Sequence, residues 1–255
     1  MIDGLLLDMD GVLALSFAPM PGAVETLAWI RERGIPFRIV TNTTTHTRAD
    51  LASTLRAEGF DLEADEIVTA VVGTAAHLRS RHPGARVLLL TDGDAREDLE
   101  GITLVAPDED AEVVVLGGAS EEFTYGNLNH IFRLVIGGAS LVGMHRNLYW
   151  RTAEGLELDG GAYLAGLEEA AGVRATVCGK PSPAFFEAAL SLLGLPAERV
   201  AMVGDDIVND VLGAKACGLE GVLVRTGKFM ESDLAKGRPD HVLASFAELP
   251  ELLGS

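Results

Sequence analysis

The feature that most constrains the fold is the regular alternation of short apolar runs with amphipathic segments along the chain. Residues 5–7 read Leu-Leu-Leu, residues 36–40 and 200–203 form further short runs of this kind, and helix-type patterns lie between them. Short, continuously apolar strands are typical of a parallel sheet that helices cover on both faces. The alternation therefore predicts an α/β fold with a mostly parallel sheet flanked by helices.

Capping signals mark where several of these helices begin and end. Residues 23–33 predict a helix stopped by Gly34, and residues 47–58 predict another, with Thr47 and Asp50 at capping-box spacing. Near the other end, Ser182 is followed by Pro183, which suits the first position of a helix. Both ends of the chain thus follow the same strand–helix pattern.

The middle of the chain has strands and helices of its own. Strand-like runs lie at 86–90, 112–116 and 140–144, and a helical pattern spans 125–135. We therefore expect an inserted domain at 73–178, with the core domain formed by residues 1–72 and 179–255. No low-complexity linker marks either boundary.

Composition excludes several classes of partner. The 255 residues carry 20 basic and 38 acidic side chains, a formal net charge of −18 that repels nucleic acid and anionic membranes. No uncharged stretch, residues 134–144 included, reaches the roughly 20 residues of a membrane span. Cys178 and Cys217 fit no metal spacing, and the apolar run at 5–7 is too short for a signal peptide. We expect a soluble cytoplasmic protein, and any site that binds an anion must supply its own positive charge.

Polar residues that could carry chemistry follow the predicted strands. Ligands bind parallel α/β sheets at the carboxyl ends of the strands, so residues at those ends meet in one crevice. Four groups occupy such positions in order along the chain: Asp8 with Asp10, Thr41 with Asn42, Lys180, and Asp205 with Asp206 and Asp210.

Each residue type fits one task in phosphoryl chemistry. Clustered carboxylates suit Mg²⁺, and lysine, hydroxyl and amide groups suit phosphate oxygens. A carboxylate such as Asp8 can attack phosphorus, and a second one two residues later can protonate the leaving oxygen. Any one of these motifs alone is more often part of an ordinary turn or loop, but the occurrence of all four in this order favours a functional site.

These motifs resemble the haloacid dehalogenase-like hydrolase superfamily. The resemblance rests on Asp8-Met9-Asp10-Gly11-Val12, Thr41-Asn42, Gly179-Lys180-Pro181 and Gly204-Asp205-Asp206 with Asp210. It implies a Rossmann-like three-layer α/β/α core and, from the long insertion, the C2-type α/β cap of subfamily IIA. Within the NagD-like branch, four segments look most similar to the phospholysine, phosphohistidine and inorganic pyrophosphate phosphatases: Gly179–Pro183, Phe185-Phe186, Gly204–Val208 and Val224–Phe229.

The resemblance implies a role for each matched residue. Asp8 would be the nucleophile and Asp10 the acid/base, and Mg²⁺ would bind Asp8, the backbone carbonyl of Asp10, and Asp205. Phosphate would be bound by Thr41, Asn42 and Lys180. Asp206 and Asp210 would orient metal-bound water or Lys180.

Residues outside the motifs are candidates for substrate selection. His46 lies shortly after the second motif, although an ordinary surface role is the alternative. Asp159 and Gly160 precede a predicted helix at 163–171, so they either contact substrate or form the turn that starts that helix.

The expected activity is magnesium-dependent hydrolysis of a small phosphorylated molecule through an aspartyl phosphate. Dehalogenation by an enzyme of the same fold would need no Mg²⁺ and would not use the carboxylates of Asp10 and Asp205, so the sequence argues against it. The sequence also allows phosphoryl transfer to a hydroxyl acceptor, or non-catalytic sensing of a phosphorylated ligand. Related caps can dimerise, which leaves a homodimer open.

Overall fold

The computed structural model describes residues 2–94, 96–119, 121–152 and 155–254. The strands in chain order are β1 Gly4–Asp8, β2 Ala14–Leu15, β3 Ala18–Pro19, β4 Phe37–Thr41, β5 Ile67–Thr69, β6 Arg86–Leu90, β7 Thr103–Val105, β8 Val113–Leu116, β9 Ser140–Gly143, β10 Tyr149–Thr152, β11 Gly155–Leu158, β12 Thr176–Val177, β13 Val200–Gly204, β14 Glu220–Val224 and β15 His241–Leu243. The α-helices are α1 Ala23–Glu32, α2 Arg48–Ala57, α3 Ala70–Arg81, α4 Tyr125–Ile136, α5 Gly160–Ala171, α6 Pro183–Leu193, α7 Gly213–Ala216 and α8 Leu249–Leu253.

The chain divides into two compact units. The first contains Met1–Thr41, Arg48–Val68 and Lys180–Ser255, and the second contains Asn42–Thr47 and Thr69–Gly179. The second unit thus starts a few residues before the expected position 73, and it also includes the short segment after Thr41. The function of this unit as a cap stays a prediction.

The first unit is built on a six-stranded sheet with the order β15-β14-β13-β1-β4-β5. β1 pairs in parallel with β13 on one side and with β4 on the other. Leu5 and Leu7 point into a core that includes Leu27 of α1 and Leu51 of α2. Leu6 is also fully buried, so β1 is covered on both faces, as its unbroken apolar sequence predicts.

The second unit contains a parallel five-stranded sheet with the order β12-β9-β8-β6-β7. Alternate residues of its strands enter two separate cores. Val113 and Val115 pack with α3 on one face, whereas Val114 and Leu116 pack with α4 and α5 on the other. Both units therefore have helices on both faces of a parallel sheet, which confirms the predicted α/β class.

Two helices differ from the sequence prediction. α5 begins at Gly160, not at residue 163, because the Asp159 side chain accepts a hydrogen bond from the Gly160 amide, and Gly160 and Gly161 form its first turn. A Cβ on Gly160 would overlap the carbonyl oxygen of Gly117, so only glycine fits at this helix start. After β13, where the sequence predicts a helix that reaches Cys217-Gly218, the structure has a π-helical segment, Ile207–Leu212, followed by the short α7.

Within the described part of the chain, no helix combines the length and apolar character needed to span a bilayer.

Candidate active site

The candidate site of the first unit is built around Lys180, whose side chain is 4% exposed. Its Nζ donates to Asp8 Oδ1 at 2.5 Å and to the carbonyl oxygen of Val40 at 3.1 Å. The same nitrogen lies 2.7 Å from Asp210 Oδ1. Two carboxylates and one carbonyl oxygen thus lie around this ammonium group, so the protein itself fixes where the charge lies.

The ion pairs offset the cost of burying Lys180. Burial disfavours the ammonium, but the carboxylates of Asp210 and Asp8 hold the pKa of Lys180 above its ordinary value. Lys180 therefore stays positively charged in a site that is otherwise acidic.

The strand topology explains why these residues meet. Asp8 ends β1, Val40 lies in the neighbouring β4, and Asp210 lies in the π-helical segment that follows the other neighbour, β13. β1, β4 and β13 are adjacent parallel strands, so their carboxyl ends share one edge of the sheet. Thr41 ends β4 at the same edge and is 2% exposed.

Asp8, Asp205 and Asp210 form a buried acidic cluster. Each offers a carboxylate oxygen, and these oxygens all lie within 4.8 Å of one another. Burial raises the pKa of Asp205 to about 7, and the nearby Asp8 carboxylate adds to the effect. Burial raises the pKa of Asp210 to about 7 as well, again with a contribution from Asp8. The single positive charge of Lys180 does not balance the negative charge that three such carboxylates carry when ionised.

The Asp205 carboxylate shows what the cluster can bind. Its Oδ2 accepts a hydrogen bond of 2.6 Å from the Lys228 amide, but Oδ1 is buried and has no hydrogen-bond partner among the described residues. A buried carboxylate oxygen without a donor is costly unless a cation fills the place. An all-oxygen donor set of this kind fits a hard divalent cation.

Asp10 follows the cluster in a tight turn after β1. The amides of Leu13 and Ala14 both donate to the carbonyl of Met9, and the Gly11 amide donates to the carbonyl of Ala14. Burial raises the pKa of Asp10, and the opposing effects of Lys228 and then Lys180 are smaller. The positive charges of the two lysines therefore offset only part of the effect of burial on Asp10.

Asp206 and Asp210, which the sequence grouped together, have different surroundings. The Asp206 carboxylate accepts from the amides of Val208 and Asn209 at 2.9 Å and caps the π-helical segment. The Asp210 carboxylate contacts Lys180 and accepts from the Asp206 amide at 3.1 Å. Of the two, Asp210 is the one in contact with the lysine.

The loop after β14 contributes contacts that the sequence analysis missed. Thr226 Oγ1 donates to the carbonyl of Gly11 at 2.5 Å, and the Lys228 amide donates to Asp205. A Cβ on Gly11 or on Gly227 would overlap Asp205 Oδ2, so both glycines allow the backbone to close around that carboxylate. A signal for these contacts is present in the sequence, because the loop follows the short apolar run at 222–224, as the motifs follow other runs of this kind.

The remaining predicted residues belong to the second unit. Asn42 starts that unit, and a Cβ on Gly179 would lie 2.5 Å from its Oδ1. His46 is exposed, and its Nδ1 lies 2.9 Å from Thr45 Oγ1.

Asp159 and Gly160 lie close to the segment 42–47 within this unit. Asp159 is 8% exposed, and its Oδ1 accepts from the amides of Gly160 at 2.7 Å and Ala119 at 3.2 Å. Thr44 Oγ1 accepts from the Gly118 amide at 3.2 Å. Asp159 therefore starts α5, and contact with substrate stays a prediction for this residue, Gly160 and His46.

Comparisons with known proteins cover almost the whole chain. A family model described as haloacid dehalogenase-like hydrolase matches residues 5–104, and a second, described as HAD-hydrolase-like, matches residues 177–249. The haloacid dehalogenase-like hydrolase domain-containing protein 2 of Homo sapiens is 40% identical over 238 residues, which cover 93% of this chain and 90% of that protein. The phospholysine phosphohistidine inorganic pyrophosphate phosphatase of Danio rerio is 38% identical over 238 residues, with 91% and 86% covered.

Solved structures give the same result for the fold. The p-nitrophenyl phosphatase from Archaeoglobus fulgidus superposes with a TM-score of 0.91 at 30% identity, covering 98% of this chain and 99% of that one. NagD from E. coli K-12 superposes with a TM-score of 0.88 at 28% identity, covering 97% and 98%.

Proposed function

The chain belongs to the haloacid dehalogenase-like hydrolase family, and from that premise we propose that it is a magnesium-dependent phosphatase acting on small phosphorylated molecules. The observation that carries the proposal is the contact of Lys180 with both Asp8 and Asp210 beside the buried carboxylate of Asp205. This arrangement combines a carboxylate nucleophile, a fixed positive charge and an oxygen site for a cation. These are the three components that attack on an anionic phosphate requires.

The acidic cluster fits Mg²⁺, which binds one or two protein carboxylates together with phosphate oxygens and water. Asp8 and Asp205 would hold the ion with the backbone carbonyl of Asp10, and Asp210 would position Lys180. When bound, Mg²⁺ offsets the repulsion between the Asp8 carboxylate and the anionic phosphate.

In the first step, an Asp8 carboxylate oxygen forms a bond to phosphorus while the bond from phosphorus to the leaving oxygen breaks. Asp10 gives its proton to the leaving oxygen, so the alcohol departs neutral. Burial raises the pKa of Asp10, which favours the protonated form that this step needs.

In the second step, a water molecule attacks the phosphorus of the phosphoaspartate. Asp10, now a carboxylate, takes a proton from the water as the bond between phosphorus and Asp8 breaks. Inorganic phosphate leaves, and both aspartates return to their starting states.

Thr41, Asn42 and Lys180 would bind the oxygens of the transferred phosphoryl group. Lys180 neutralises charge on Asp8 before the reaction and on the phosphoryl group during it. Residues 73–178 would act as a cap. Asp159 and Gly160 in the cap, and His46 outside it, would contribute to substrate selection.

The substrate class is supported by names given to relatives. They include p-nitrophenyl phosphatases and a phosphatase of phospholysine, phosphohistidine and inorganic pyrophosphate. We infer that this chain also hydrolyses a small phosphorylated compound.

The test is phosphate release from an aryl phosphate by the purified protein, with Mg²⁺ and with a chelator. We expect turnover with Mg²⁺, little after chelation, and recovery when Mg²⁺ is restored. Full activity that survives both chelation and Asp8→Asn would falsify the proposal.

A further inference from the structure

Lys228 is held at the candidate site by its backbone, which leaves its side chain available. Its amide donates to Asp205 Oδ2 at 2.6 Å, and Thr226, two residues earlier, donates to the carbonyl of Gly11 in the turn that contains Asp10. The Lys228 side chain is exposed. Among the described residues it takes part in no ion pair, in a chain with a net charge of −18.

The two lysines of the site lie beside different parts of it. Lys180 contacts the Asp8 carboxylate directly, whereas the loop that carries Lys228 packs against Gly11, the residue after Asp10. Lys228 therefore lies on the Asp10 side of the site. In the proposed reaction that is the side of the leaving oxygen, because Asp10 gives its proton to that atom.

The ammonium group of Lys180 is already in contact with groups of the protein itself. Its Nζ has Asp8, Asp210 and the carbonyl of Val40 as partners, and it is buried. Lys228 is the ammonium of this site that can turn toward a substrate without leaving a buried carboxylate unpaired.

We propose that the Lys228 ammonium binds an anionic group on the leaving portion of the substrate, so that the enzyme prefers phosphoesters whose alcohol carries a second acidic group. This inference rests on the proposed phosphatase function. An anionic leaving portion is otherwise repelled by the acidic protein, so a cation at this position decides whether such a substrate is accepted.

The experiment compares phenyl phosphate with 3-carboxyphenyl phosphate, which have similar size and reactivity but differ by one carboxylate. kcat and KM are measured for both substrates with wild type, Lys228→Met, Lys228→Arg and Lys236→Met. Lys236→Met is the matched control, because it removes the same charge from a lysine that pairs with Asp233 at 2.8 Å.

We expect Lys228→Met to lower the preference for the carboxylated substrate about tenfold, mainly through KM, because one charge-assisted contact is lost. Lys228→Arg should keep most of the preference, and Lys236→Met should keep all of it. A merely structural role would lower kcat/KM for both substrates alike and leave their ratio unchanged.

An unchanged ratio in Lys228→Met, with wild-type turnover of both substrates, overturns this inference and leaves the phosphatase function standing. Wild-type protein that releases phosphate from neither substrate in Mg²⁺ overturns the proposed function instead. Thermal unfolding of each variant shows that the comparison is made on folded protein.

Discussion

The Nζ of Lys180 lies 2.5 Å from Oδ1 of Asp8, although the two residues are 172 positions apart in the sequence. Both are buried, and a second carboxylate, Asp210, approaches the same nitrogen at 2.7 Å. This contact orients the Asp8 carboxylate, and the ammonium offsets its negative charge before any substrate binds.

Asp8→Asn keeps the size of this side chain but removes the oxygen that would attack phosphorus. We expect turnover of an aryl phosphate to fall at least about 1,000-fold, because the covalent route is closed. The variant should unfold at a temperature no lower than wild type in the absence of divalent cations, since one of three neighbouring buried carboxylates is neutralised. Steady-state assays and thermal melts check both statements.

Asp61→Asn makes the same chemical change at an exposed partner of Arg31 and should retain activity. An Asp8→Asn protein that is active, with its product shown to be inorganic phosphate, would exclude Asp8 as the nucleophile.

Asp10→Asn should separate the two steps of the reaction. A nitrophenolate leaves without a proton, so formation of the phosphoaspartate should be slowed less than its hydrolysis, which we expect to slow about 100- to 10,000-fold. Phosphorylated protein should then accumulate, and the mass of acid-quenched samples measures it. If no phosphoryl group is found on Asp10→Asn while slow turnover continues, the assignment of Asp10 to the second step is wrong.

Magnesium binding can be measured without turnover. At a magnesium concentration about 100 times Kd, binding should stabilise the wild type by about 2.7 kcal/mol, because only the folded state assembles the site. Asp205→Asn should lose most of this gain, since it removes charge from the carboxylate whose Oδ1 has no protein donor among the described residues. Thermal unfolding with Mg²⁺ and with chelator gives the difference. An equal magnesium effect on both proteins would place the ion elsewhere.

Gly227→Ala should disturb the site through packing. Gly227 has φ of +60°, and a Cβ there would overlap Asp205 Oδ2. We expect a loss of about 2–4 kcal/mol of stability and a lower kcat, because Asp205 must move.

Gly34→Ala is the matched control, since Gly34 has φ of +65° but no atom within 4 Å of the added Cβ. Gly34→Ala should lower the stability by only about 1 kcal/mol, the cost of placing alanine in a left-handed backbone conformation, and activity should be kept. Equal effects of the two substitutions on stability and kcat would rule out the packing explanation. Both are read by thermal melts and steady-state kinetics.

Glu168 should stabilise the second unit in a pH-dependent way. Its buried carboxylate accepts from Arg146 Nη1 at 2.9 Å and from the Ala175 amide at 2.7 Å, and the bond with Arg146 lowers the pKa of Glu168. A depressed pKa stabilises the fold above the ordinary pKa of a glutamate, and this is lost as the pH falls through the folded-state value.

Glu168→Gln should therefore cost about 1–3 kcal/mol near neutral pH, and the difference from wild type should shrink in acid. Urea unfolding at several pH values measures it. Glu169→Gln, at the exposed neighbouring position, should have little effect at any pH. A penalty for Glu168→Gln that stays constant into acid would contradict the ion-pair explanation.

Local signals predicted much of the secondary structure. The strand at 86–90 coincides with β6, and Pro183 begins α6, which Gly194 ends with φ of +78°. Membership of subfamily IIA, which the long insertion between the second and third motifs implied, is confirmed by the family models and relatives. The start of α5 was missed because two glycines at a helix start indicate a turn, unless a neighbouring backbone such as that of Gly117 requires them.

The sequence alone determined the α/β class, the order of the motifs and their positions after strands, because apolar runs, caps and turn residues act over short distances. Only the tertiary structure decided that Lys180 contacts Asp8, Val40 and Asp210, and that Gly227 and Lys228 close around Asp205. These contacts join residues that are distant in the sequence, and they depend on strand order, register and the packing of loops at one sheet edge. No local pattern of residues encodes these contacts, because strand order, register and loop packing are fixed only when the whole sheet and its helices pack together.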